Sequence, residues 1–232
     1  MCHPRPAAAP RPPAKELEDA VRTRRRQVAL QGGGGHPAVR APAPRADEPP
    51  QAQAPLEPGR IGPPPVRHIS QTRPAGATSE YLDEGYCGPT CLAMVARAYG
   101  LGAQFTDAEL VMRLCRIAGA TARRGTDRTG LYRMATHLRL SSQDWDGEAT
   151  FWMARHLEQG HYVVAAGNPY VLPPYEKLEG DGGHLIVVDG MDETGNFLMK
   201  NPWPDGVHAV PPLKMWQFLM THCRPYQYAF WR

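Results

Sequence analysis

Tyr86-Cys87-Gly88-Pro89-Thr90-Cys91-Leu92-Ala93-Met94-Val95 is the stretch on which the reading of this chain turns. Leu92, Val95, Ala96 and Tyr99 recur at three-to-four-residue spacing, Pro89 suits the first helical position, and Gly100 follows the last turn. A buried helix over Thr90–Tyr99 is therefore predicted. Cys87 stands just before it. A helix start leaves backbone N–H groups unpaired and carries partial positive charge, so a thiol there should be acidified and nucleophilic. The same N–H groups suit an oxyanion. A small buried loop cysteine would look identical in isolation, so the choice rests on the rest of the chain.

Toward the N-terminus the composition changes. Of 25 prolines, 16 lie at or before Pro74, and no Phe, Trp or Tyr precedes Tyr81. Such a segment lacks the apolar surface to offset chain entropy. Residues 1–78 are read as a disordered Pro/Ala/Gly/Arg-rich tail with one short helix-competent stretch at 14–30, and residues 79–232 as the folded domain. Up to residue 80 there are 12 basic and 7 acidic residues, and beyond it 14 and 16, so the net +3 is +5 in the tail and −2 in the domain. The cluster Arg22, Arg24, Arg25 and Arg26 has no interleaved aromatics and no binding fold around it. It reads as a solvated run, and nucleic acid is not expected as a partner.

Five cysteines without regular spacing argue for free thiols and against a disulfide framework. No cofactor and no metal are expected. The Cys87–Cys91 spacing lacks the companion ligands of a zinc site, and Cys91, Cys115 and Cys223 read as structural. His137, His156, His161 and His208 have no ligand spacing and read as surface or loop residues. No apolar stretch is long enough to span a bilayer, and the N-terminus lacks the apolar core of a secretory signal. A monomer is expected, in the cytoplasm or delivered to a target cell by a specialised secretion system.

Toward the C-terminus, helices are predicted at Asp107–Ala118 behind a Thr106 cap, at Thr129–Leu138 and at Thr150–Glu158. After Gly160 the pattern changes to short β-prone runs, His161–Ala166, Leu185–Val188 and Phe197–Met199, followed by a helix at Leu213–Met220 and a closing strand at Gln227–Trp231. Helices first and strands second is an α+β layout with an antiparallel sheet. His184 opens a buried strand directly after Gly182-Gly183, an odd place for an imidazole unless it faces something. Asn201, before Pro202-Trp203, ends the next strand of an apparent hairpin and could hold the far ring nitrogen of His184. Asp189 and Asp192 read as turn residues, with Asp189 the substitute for Asn201. The aromatic loops Tyr170–Tyr175 and Trp203–Asp205 could wall a substrate groove or merely pack.

Tyr86–Val95 resembles the nucleophile helix of the double-glycine (bacteriocin) leader peptidase-like branch of the papain-like cysteine hydrolases. Gly183–Gly190 is similar to that branch's histidine strand, and Lys200-Asn201-Pro202-Trp203 to its aspartate-proline segment. The resemblance implies a papain-like fold whose nucleophile helix packs on the sheet, with Cys87 as nucleophile, His184 as general base and acid, and Asn201 as the orienting residue. Two departures stand out: the family's third residue is usually aspartate, and its oxyanion-hole glutamine usually lies six residues before the nucleophile, where this chain has Tyr81. Gln71 is the nearest upstream glutamine.

The resemblance implies a thiol hydrolase acting on an amide, most plausibly a peptide bond, with a protein or peptide as substrate. Glutamine deamidase and transpeptidase use the same covalent intermediate and stay open. A bacterial effector role is compatible with the proline-rich tail. A catalytically idle papain-like binding domain is the rival from another class.

Overall fold

The helix expected after Cys87 forms and takes in the cysteine itself: α1 spans Cys87–Ala98 and is buried from Cys87 to Ala96. The computed structural model describes residues 58–72, 74, 76, 85–121, 125–147, 149–172, 183–204, 206–221 and 225–232. Two further helices lean on α1. In α2, Asp107–Ala118, Thr106 and Glu109 form a reciprocal capping box, which satisfies two orphan donors of the first turn. In α3, Arg128–Leu138, the Asp127 side chain accepts from Gly130 N–H. Then follow α4, Thr150–Glu158, and α5, Pro212–Met220.

Six strands build one sheet: β1 Ser141–Asp146, β2 Tyr162–Gly167, β3 His184–Met191, β4 Phe197–Lys200, β5 Val207–Val210 and β6 Tyr226–Trp231. Their order is β1-β6-β2-β3-β4-β5, and every neighbouring pair is antiparallel. The alternation along the strands separates two cores. Tyr162, Val164, Leu185, Val187, Tyr228 and Phe230 pack with α1, α2 and α3. Val163, Ala165, Ile186, Val188 and Ala229 pack with α4 and α5. Because both faces are covered, β2 and β3 are apolar almost throughout rather than alternating with polar residues. The fold is α+β, with N-terminal helices against a C-terminal antiparallel sheet, as the sequence implied. β1 and β5 had not been anticipated.

Part of the chain upstream of the expected boundary at residue 78 packs on the domain. Residues 60–71 form a strap across the helix-covered face of the sheet. Val66 and Ile69 are buried in the core with α1, Ile61 pairs with Met191, and Tyr162 donates its hydroxyl to Pro64 O at 2.9 Å. The strap is fastened by Asp189, which is no turn residue but a fully buried member of β3. Arg60 Nη2 meets Asp189 Oδ1 at 2.9 Å, with side chains 4% and 0% exposed, and Val66 N–H donates to Asp189 Oδ2 at 2.8 Å. Lys200 Nζ lies 3.6 Å from the same Oδ2. Gly190 lets the strap approach so closely, since a Cβ there would lie 2.9 Å from both Arg60 and the Ile61 carbonyl. Proline content hid this segment, because the strap is extended and makes its contacts through a few apolar side chains. The stretch at 14–30 lies outside the described residues. Among the described residues, no helix is long and apolar enough to cross a membrane.

Removing one partner of a buried ion pair strands the other charge. Asp189→Ala should therefore lower the unfolding free energy by about 3–5 kcal/mol, read by urea denaturation. The double change Arg60→Met with Asp189→Leu should recover part of that loss, because Lys200 and the Val66 N–H still lose their acceptor.

Candidate active site

Cys87 is the first residue of α1 and is 9% exposed. Backbone N–H groups of Leu185, Gly88 and Cys87 itself point at its sulfur. One turn on, the Cys91 thiol donates to Leu185 O at 3.3 Å. Both backbone groups of Leu185 are thus held by the first two turns of α1, which fixes the start of β3 against the start of the helix. His184 is the residue before Leu185. Cys91, read as a core residue, is fully buried and supplies part of this clamp.

His184 is buried and pairs with Gly167 across β2 and β3. Gly167 has no space for a Cβ because Phe218 of α5 occupies it. The imidazole Nε2 lies 2.7 Å from Asn201 Oδ1, and Trp203 N–H donates to that same Oδ1 at 3.0 Å. A backbone N–H can only give its proton, so the shared atom is the amide oxygen and Nε2 must carry the ring hydrogen. Nδ1 is left as the basic nitrogen. The Trp203 ring lies over the imidazole at 4.3 Å between centroids and 32° between planes, excluding water from that side. Tyr170 approaches Trp203 at 6.4 Å, while residues 173–175 of the same loop lie outside the described residues.

Asn201 is fully buried and held along its backbone as well. Its N–H donates to Gly206 O at 2.6 Å, its carbonyl meets His68 Nε2 at 2.8 Å, and the neighbouring Pro202 carbonyl accepts from Gln71 N–H at 2.7 Å. The last two contacts come from the strap, a support that no motif in the sequence announces. Gln71 itself is buried at 7% exposure beside this segment. Tyr81 lies outside the described residues. Asp189 is committed to Arg60 and does not substitute for Asn201.

The electrostatics run against the simple expectation for Cys87. Burial pushes the thiol up and outweighs the three backbone N–H groups that pull it down. Burial also lowers His184 to about 4, against the opposing hydrogen bond that its ring donates to Asn201. The dry environment disfavours each charge, so the resting groups are a neutral thiol and a neutral imidazole. One other histidine differs from expectation, while His161 lies in the connection before β2 as a loop residue. His156 is a buried helical residue whose Nδ1 lies 2.9 Å from His161 Nδ1, between Trp152 and Trp231. Burial takes His156 down to about 4. Among the described residues, no group of three or more His, Cys, Asp or Glu side chains converges as metal ligands would.

The model of the Peptidase_C39 like family matches residues 64–220. No curated protein matches the chain. Among solved structures, a Bacillus anthracis protein described as a C39-like peptidase superposes with a TM-score of 0.53 at 16% identity, covering 75% of this chain and 98% of its own. The peptidase domain of Streptococcus ComA, a bifunctional ABC transporter, gives 0.45 at 18% identity over 62% of this chain and 88% of its own. A double-glycine-motif protease from an AMS/PCAT transporter gives 0.47 at 15% identity over 74% and 96%. At these identities the first likeness is one of fold.

Two outcomes follow from the burial. Iodoacetamide should label Cys87 slowly at pH 7, with the rate still climbing past pH 9 where an ordinary thiol levels off; fast labelling below pH 7 would contradict a neutral thiol. His184 and His156 take up protons near 4 when folded but near 6.5 when unfolded. Stability is therefore full above pH 6.5 and is lost as pH falls toward 4. The urea midpoint should fall across that window, and less steeply in His156→Gln.

Proposed function

Because the chain belongs to the Peptidase_C39 like family, we propose that it is a thiol hydrolase cleaving an amide, most directly a peptide bond, with Cys87, His184 and Asn201 as its triad. The observation that carries this reading is the doubly engaged Asn201 Oδ1, which fixes His184 with Nδ1 free.

Nδ1 of His184 takes the thiol proton as Cys87 Sγ forms its bond to the substrate carbonyl carbon, so a neutral pair becomes a thioether-bonded tetrahedral oxyanion and an imidazolium. His184 returns that proton to the leaving nitrogen as the C–N bond breaks, giving a thioester. Water, deprotonated by the same nitrogen, then releases the acid and restores the thiol. The oxyanion falls to the backbone N–H groups at the start of α1 and to the Gln71 side chain. Gln71 is favoured by its burial beside Pro202, on the segment that carries Asn201.

The upward shift of the Cys87 thiol favours a second reading, an idle domain that keeps the shape without the chemistry. A mixed peptide library incubated with the full chain separates the two. New peptide termini that require Cys87 and vanish in Cys87→Ala support hydrolysis, and a Cys87-dependent gain of 1 Da at glutamine without cleavage redirects the reading to deamidation. Neither change, in any peptide, would leave the idle domain. In an active enzyme Gln71→Ala should lower kcat about 100-fold with little change in KM, the loss typical of one oxyanion donor.

A further inference from the structure

Between Arg113 and Arg139 the sequence holds seven arginines and one acidic residue, Asp127. Four of the arginines, Arg113 and Arg116 on α2, Arg133 on α3 and Arg139 at its C-cap, are exposed on one antiparallel helix pair. The two helices are joined across this face by Arg113 Nε, which donates to His137 Nε2 at 3.3 Å. None of the four makes an ion pair among the described residues, whereas Arg60, Arg67, Arg97 and Arg128 all do. Arg139 also adopts a left-handed backbone with φ 56°, the only non-glycine among the described residues to do so. Glycine would occupy that position without strain. A cation at a helix C-terminus gains something from the dipole, and Arg113 also lies over the Phe105 ring while Arg116 donates to Met112 O, but four guanidinium groups on one face repel one another, and no carboxylate among the described residues pairs with them.

The face starts at the candidate active site. Thr126, in the connection between α2 and α3, packs on Gly88 so tightly that a Cβ on that glycine would lie 2.6 Å from the threonine Cβ. Gly88 follows Cys87, and Tyr226 holds the same connection by donating to Thr126 O at 3.1 Å. At about 1.5 Å per helical residue, Arg133 lies on the order of 10 Å and Arg139 on the order of 20 Å along the chain axis from this point. An extended polypeptide advancing about 3.3 Å per residue covers that distance in roughly six residues.

We infer that the exposed α2–α3 face is an exosite that holds an acidic segment of the polypeptide substrate, within about six residues of the bond presented to Cys87. The inference rests on the hydrolase reading for what lies in the cleft. Guanidinium groups pair bidentately with carboxylates, which suits them to a flexible acidic peptide. Three observations favour this occupant. Beyond residue 80 the chain is net −2, from 14 basic and 16 acidic residues, so the positive charge is local and not the pervasive charge of a nucleic-acid binder. Tyr132 is the one large exposed aromatic of α3, too little for base stacking along a strand. The first 57 residues of the chain carry nine basic against six acidic residues and do not complement a basic face.

The test uses the full chain carrying Cys87→Ala, so that binding is read without turnover. Fluorescein-labelled decaglutamate is titrated at low and physiological salt by anisotropy, beside decalysine and a ten-phosphate oligothymidylate. Arg116→Glu with Arg133→Glu should weaken decaglutamate at least tenfold. Arg139→Gly, which relaxes the strained residue, should weaken it several-fold with no loss of thermal stability. Unchanged affinity in both variants overturns the exosite, and so does tighter binding of oligothymidylate through the same arginines. Failure of the hydrolase reading is registered separately, in the Cys87-dependent peptide assay, and leaves these binding curves untouched.

Discussion

All eight residues of β3 are buried, and a strand enclosed on both faces must satisfy every polar side chain it carries from within the protein. It carries two. At one end His184 finds Asn201, and toward the other Asp189 finds Arg60 and the Val66 N–H. The two solutions are not independent. The residues that neutralise Asp189 belong to the strap, and the strap continues to His68 and Gln71, which hold the backbone of Asn201 and Pro202. A carboxylate buried far along the strand from the imidazole thus helps to place the group that orients it.

The parts of this arrangement that the sequence revealed share one property: they depend on contacts that impose a period or a position. α2 was legible because its buried face repeats every three to four residues, and it agrees with its expected span to the residue; α1, buried at every position from Cys87 to Ala96, was legible as an apolar run framed by Pro89 and Gly100. The core of β3 was legible because a strand covered on both sides must be apolar throughout. β1, Ser141–Asp146, was not. It is an edge strand whose residues range from half-buried to exposed, so burial left no pattern in Ser-Ser-Gln-Asp-Trp-Asp; it is held by backbone pairing with β6 and by side chains that its sequence does not announce, Asp144 and Asp146 on Arg128 and Trp145 on Trp152. Asp189 was misjudged for a related reason. An aspartate before a glycine normally signals a turn, and only the arrival of Arg60, more than a hundred residues earlier in the chain, makes a strand position tolerable for it.

The candidate site divides along the same line. Motif order selected His184 and Asn201, and their side chains do meet. What the order of motifs could not convey was how dry the meeting place is. A cysteine before a helix reads as an acidified thiol when only the helix terminus is considered, but the same packing that aims three N–H groups at the sulfur also removes the water that would stabilise a thiolate. Burial is the larger effect.

This dryness gives a physical reason for asparagine where aspartate is usual in the family. Asn201 is completely buried, and its Oδ1 already accepts from two N–H donors. A carboxylate at that place would be a third buried ionisable group, with a second oxygen seeking donors where the amide Nδ2 now finds no hydrogen-bond acceptor among the described residues. It would favour the charged form of His184 more strongly than the amide does. The neutral amide fixes the ring by geometry without adding charge. In a site where burial keeps cysteine and histidine both uncharged, an orienting group that is itself uncharged leaves the imidazole free to act as a base.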